Sequence, residues 1–119
     1  MRQSKIGIRL TALALVAIVA AVLGGSALAA RDGASVSVKM SEFKFVLSTK
    51  TAHAGSVTFT VTNKGQLPHD FKIAGKKTAL VKPGKTAKLT VTLKAGKYPY
   101  MCTVAGHAAA GMKGTFTVK

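Results

Sequence analysis

From residue 34 onward the chain alternates between apolar and polar positions in short runs. Val36, Val38 and Met40 alternate with polar residues, and after a short break Phe43, Phe45 and Leu47 do the same. Val57, Phe59 and Val61 alternate with Thr58, Thr60 and Thr62, the pattern of a half-buried strand with one wet face. Phe71 and Ile73 mark a short strand, and Leu89, Val91 and Leu93 a longer one. Tyr98, Tyr100 and Cys102 share one face of the next segment, and Phe116 and Val118 one face of the last. Turn residues separate the runs at Ala54-Gly55, Asn63-Lys64-Gly65, Pro83-Gly84-Lys85 and Ala95-Gly96-Lys97. No long apolar pattern of helical period occurs in this region. The spacing predicts an all-β fold, a two-sheet Greek-key sandwich of about seven to eight strands. Pro99 lies inside a strand-like run, so its missing donor should face an unpaired flank. Met40 should be core, Met101 should face away from Tyr100 and Cys102, and His53 should be a solvated loop residue.

The first residues follow a different pattern. Arg2, Lys5 and Arg9 precede an apolar run from Leu10 to Leu23, which Gly24, Gly25 and Ser26 break. Ala27-Leu28-Ala29 then supplies small residues at the spacing of a signal-peptidase site. The run is shorter than the ~20 residues a membrane-spanning helix needs. Residues 1–29 are therefore expected to be a signal peptide, with an uncleaved anchor as the alternative. Either way residues 30–119 are expected in the periplasm or at the cell exterior. That segment has the size of one modest core and no second domain.

Charge narrows the partners. The whole chain carries +15, and removing Arg2, Lys5 and Arg9 leaves +12. The lysines are scattered over loops and alternate strand positions rather than gathered in one run. Together with export, this argues against nucleic acid and for an acidic protein surface or an anionic envelope. No membrane span is expected in the mature form, and a monomer is.

The chain has one cysteine, Cys102, so no disulfide can form within it. An unpaired thiol in an oxidising compartment needs another explanation. Between Tyr98 and Gly114 the sequence reads YPYMCTVAGHAAAGMKG, which spaces Cys102, His107 and Met112 by four intervening residues each. A loop of that size between two strands lets three side chains converge. Thiolate, imidazole and thioether form a soft-to-borderline donor set suited to copper in both oxidation states, and poorly suited to magnesium or calcium. His69, just after a turn in NKGQLPHDF, is the candidate for a second imidazole.

With these residues the chain resembles the cupredoxin family of small blue-copper proteins. The resemblance rests on the Asn63 to His69 segment, the G-x-Y-x-Y-x-C approach from Gly96 to Cys102, and M-x-G-x-F-x-V from Met112 to Val118. The Cys-x4-His-x4-Met spacing looks more like auracyanin and rusticyanin than plastocyanin or azurin. It implies one type 1 copper ion held by His69, Cys102, His107 and Met112. It also implies an electron path through the exposed edge of His107. Ala105, Gly106, Ala108, Ala109 and Ala110, with Leu67 and Pro68, would form an apolar docking patch there for redox partners with acidic surfaces. Pro68 stands where azurin has a glycine, so no fifth, carbonyl contact is expected. In the family the residue after the first histidine commonly bonds the one after the cysteine. Asp70 and Thr103 take those positions, and an aspartate there should lower the reduction potential.

The expected function is single-electron shuttling without enzymatic activity, because a filled coordination sphere leaves no position for substrate. The alternative is an extracytoplasmic copper-binding protein for delivery or buffering. A third class is an electropositive, envelope-binding sandwich whose site is vestigial.

Overall fold

The computed structural model describes residues 33–119; the expected leader, residues 1–29, lies outside them. The described residues form nine strands: β1 (Ala34–Ser41), β2 (Lys44–Leu47), β3 (Thr51–Ala52), β4 (Gly55–Asn63), β5 (Lys72–Ile73), β6 (Lys76–Lys77), β7 (Thr86–Leu93), β8 (Gly96–Met101) and β9 (Lys113–Val118). One sheet has the order β2-β1-β4-β7 and the other β3-β9-β8-β5-β6. The chain passes repeatedly from one sheet to the other, giving the sandwich that the alternation predicts. Among the described residues no helix is long and apolar enough to cross a membrane.

Strand parity decides which side chains meet between the sheets. Val36, Val38 and Met40 of β1 are buried with Val57, Phe59 and Val61 of β4 and with Val91 and Leu93 of β7. Opposite them stand Ile73, Tyr100, Phe116 and Val118 of the second sheet, with Phe71 entering just before β5. The Phe59 ring lies 5.1 Å from Phe71 and 5.3 Å from Phe116, between centroids. Burying each such side chain contributes about 1.5–3 kcal/mol. The opposite parity of β4 and β7 faces water, where the Thr58 and Thr90 hydroxyls bond at 2.9 Å and Thr62 and Thr86 at 3.1 Å. Met40 is core and Met101 is exposed, as their parity requires. Pro99 lies opposite Thr115 of β9, while β5 pairs only with Tyr100 and Met101. That leaves the proline an open flank.

Three details depart from the alternation. Two-residue strands β3 and β6 have no detectable period. Strand β1 pairs with β4 in parallel, and β3 with β9 likewise, pairings that no local turn announces. Phe43 does not continue the inward face of Phe45; it sits in the turn between β1 and β2 and is exposed. That turn, the β4–β5 loop and the β8–β9 loop converge at one end of the sandwich. Lys64 N donates to Met40 O at 2.8 Å, and Gln66 N to Glu42 Oε1 at 2.6 Å.

Candidate metal centre

The β4–β5 loop presents His69, and Asn63 shapes that loop. Asn63 is fully buried, and its amide donates to Leu67 O and Val81 O, each at 2.8 Å. Its Oδ1 accepts from Gly65 N at 2.8 Å. A buried amide so fully satisfied fixes the chain just before the histidine. His69 then exchanges backbone hydrogen bonds with Val81, donating at 3.1 Å and accepting at 2.7 Å. Its side chain is wholly buried.

Cys102 follows the last residue of β8, and the loop to β9 closes on itself. Cys102 N donates to Met112 O at 3.1 Å, Met112 N to His107 O at 3.1 Å, and His107 N to Val104 O at 3.0 Å. Gly106 has φ 83°, a left-handed conformation that glycine adopts without a Cβ penalty. The turns bring residues far apart in sequence to one point.

His69, Cys102 and His107 form a cluster whose donor atoms all lie within 4.8 Å of one another. His69 Nδ1 and His107 Nδ1 are 3.1 Å apart, and Cys102 Sγ lies 4.0 Å from the first and 3.6 Å from the second. A cation bonded to nitrogen at about 2.0–2.1 Å and sulfur at about 2.3 Å, with three ligands in a plane, needs donor separations of about 3.5–3.8 Å. The observed triangle, 3.1–4.0 Å on a side, brackets that size. Two nitrogens and a thiolate are the planar donor set of a blue-copper site, so residues and geometry fit copper. Met112, the fourth expected ligand, is fully buried and tied by its backbone to both Cys102 and His107.

Burial pushes the Cys102 thiol above its ordinary pKa, so a cation bound there would have to displace a proton. Asp70 locks the two loops together: Oδ1 accepts from Thr103 N at 2.6 Å, and Oδ2 accepts from the Thr103 hydroxyl. Aspartate therefore makes the inter-loop lock that the resemblance implied.

Two residues that sequence reasoning passed over also reach the cluster. Glu42 Oε2 lies 2.7 Å from His69 Nε2. The hydrogen bond to His69, followed by that from Gln66 N, holds the Glu42 carboxyl below its usual range. The Phe43 ring meets the His107 ring edge-on, 4.9 Å between centroids. The signal for both was the break in alternation between Met40 and Phe43. His107 is the one member of the cluster with an exposed edge, 9 % against 0 % for His69 and Cys102. Around it Ala105, Gly106, Ala109 and Ala110 are exposed, Ala108 is half-buried, and Leu67, Pro68 and Phe43 are exposed alongside.

A two-sheet sandwich with this His-Cys-His cluster at one end has the architecture of the type 1 copper proteins. Residues 12–118 match the family described as cupredoxin-like domain, and the chain belongs to that family. Among solved structures, auracyanin B is 21% identical, with TM-score 0.64, over 71% of this chain and 88% of that one. Rusticyanin from Thiobacillus ferrooxidans is 25% identical, with TM-score 0.58, over 74% and 79%. The fold also matches part of a copper nitrite reductase from Nitrosomonas europaea, 20% identical with TM-score 0.60, over 74% of this chain and 42% of that one. No curated protein sequence matches the chain.

Proposed function

We propose that this protein is an exported carrier of single electrons, with residues 1–29 as its leader and residues 30–119 as the copper-binding domain. The observation that carries the reading is the triangle of His69 Nδ1, His107 Nδ1 and Cys102 Sγ, 3.1–4.0 Å on a side. His69, Cys102 and His107 would hold one copper ion, with the Met112 thioether as a fourth, weaker donor. Copper supplies a one-electron change between its two common oxidation states.

The chain's own residues suit that task. Asn63 and Val81 fix His69, Asp70 and Thr103 tie its loop to the cysteine loop, and the short β8–β9 loop sets His107 and Met112. A site braced in this way rearranges little when the electron moves. His107 offers its edge to a partner through small apolar residues, and the lysines steer acidic partners toward the molecule. Four protein ligands leave no position for a substrate, which supports a carrier rather than an enzyme. Auracyanin B and rusticyanin are covered over 88% and 79% of their length, whereas the nitrite reductase is covered over 42%.

The test is to load the protein with copper(II) and follow its visible absorption and voltammetry. An intense thiolate-to-copper band that bleaches and returns with mild reductant and oxidant is expected, and Cys102→Ser should abolish it. Rapid loss of the metal to a chelator, with no reversible wave, would instead identify a delivery or buffering protein.

A further inference from the structure

His69 is buried, yet both of its ring nitrogens have partners. Nδ1 faces His107 Nδ1 and Cys102 Sγ, and Nε2 faces Glu42 Oε2 at 2.7 Å. An ionised carboxylate only accepts, so the hydrogen sits on Nε2 and Nδ1 keeps its lone pair for the metal side. The carboxylate does not meet the ring by chance. Its other oxygen, Oε1, accepts from Gln66 N at 2.6 Å, which fixes Glu42 against the β4–β5 loop. Gly65 makes the room: a Cβ on that residue would overlap the Glu42 carboxylate. The next residue, Phe43, packs on His107, so one turn braces both imidazoles.

We propose that Glu42 is a positioning residue of the copper centre, one that orients His69 and favours the oxidised metal. The inference rests on the copper reading above. A carboxylate accepting from the remote nitrogen of a ligating histidine fixes its tautomer and ring plane and raises its basicity. The added electron density and the negative charge favour the ion of higher charge. Glu42 thus biases the couple toward copper(II), in addition to holding the ring in place.

The experiment compares the copper-loaded protein with Glu42→Gln, Glu42→Asp, Glu42→Ala and Gly65→Ala. Glutamine keeps an acceptor and the side-chain length but removes the charge. It should lower the copper(II)-to-copper(I) affinity ratio about tenfold, a rise of about 59 mV in potential for a one-electron couple. Aspartate keeps the charge and should recover part of that shift. Alanine should weaken copper(II) retention against a chelator by about 10–100-fold. Gly65 is not at positive φ, so alanine there strains no backbone and acts by displacing the carboxylate. Gly65→Ala should therefore resemble Glu42→Ala, and combining the two should add nothing further. A blue parent protein whose four variants keep its potential and copper retention overturns the role of Glu42 alone. A parent protein that forms no thiolate-to-copper band overturns the copper reading and this inference with it.

Discussion

Asp70 grips Thr103 through both carboxylate oxygens, one on the backbone N–H at 2.6 Å and one on the hydroxyl. The two residues flank the proposed ligands His69 and Cys102 in sequence, so the grip sets how far apart the two ligand loops stand. Asparagine has one oxygen to accept with and no charge. Its NH2 can donate to the Thr103 hydroxyl in place of the second oxygen, so Asp70→Asn should keep both contacts as neutral hydrogen bonds and destabilise the protein by about 1 kcal/mol through the loss of charge assistance. Removing a negative charge beside the sulfur should also raise the reduction potential. Chemical denaturation and voltammetry of the variant check both, and no change in either would show that the lock has no energetic role.

Most of the sandwich was legible because its strands have one buried face and a period of two. Val57, Phe59 and Val61 of β4, flanked by threonines, state their burial directly. The meeting of Cys102 and His107 was legible for a different reason: they lie in one short loop, where spacing alone implies convergence. Glu42 is another matter. It meets His69 across 27 positions, and no local pattern encodes a contact between two loops from different strands. Two faint signs were present. Alternation breaks parity at Glu42, and in so basic a chain two of the three acids after the leader, Glu42 and Asp70, sit at the centre. Strand β6 was not legible at all, since its two lysines are both exposed and carry no pattern.

Asn63 should matter to the centre without touching a ligand side chain. Its amide is the shared partner of Leu67 O, Val81 O and Gly65 N, all in or against the loop that carries His69. Asn63→Ala removes this partner from Leu67 O and Gly65 N, leaves Val81 O with His69 N alone, and should cost about 1–3 kcal/mol. For a domain of this size each kcal/mol lowers Tm by roughly 4–8 °C. Copper retention should fall in step, as the His69 backbone loses its support. Thermal melts with and without copper report the two effects separately.

Burial raises the Cys102 thiol above its ordinary value near 9, and this sets two opposite pH trends. Copper bound by Cys102 would replace the thiol proton, so uptake should release a proton everywhere below the raised value. Apparent affinity should fall about tenfold for each pH unit lowered, from the thiol alone. In the copper-free protein the native state binds this proton more tightly than the unfolded chain does. Its contribution to stability is full below the ordinary value and is lost as the pH rises through the raised one. Copper titrations between about pH 6 and 8, and denaturation of the copper-free protein above pH 8, should show slopes of opposite sign.

Docking should separate into a long-range and a short-range part. Without Arg2, Lys5 and Arg9 of the proposed leader the chain carries +12, while the surface around His107 is built of alanine, glycine, Leu67, Pro68 and Phe43. Charge acts over a Debye length of about 10 Å at 0.1 M salt, so it governs the encounter, and the apolar patch governs the final approach. Electron transfer to an acidic redox protein should therefore slow at least tenfold between about 0.01 and 0.2 M salt. Ala109→Glu, placed at the exposed patch, should slow transfer at every salt concentration while leaving the visible spectrum and potential close to those of the parent. Stopped-flow kinetics resolve the two contributions. If Ala109→Glu left the rate untouched while a charge at a distant site reduced it, electrons would leave by a route other than the His107 edge.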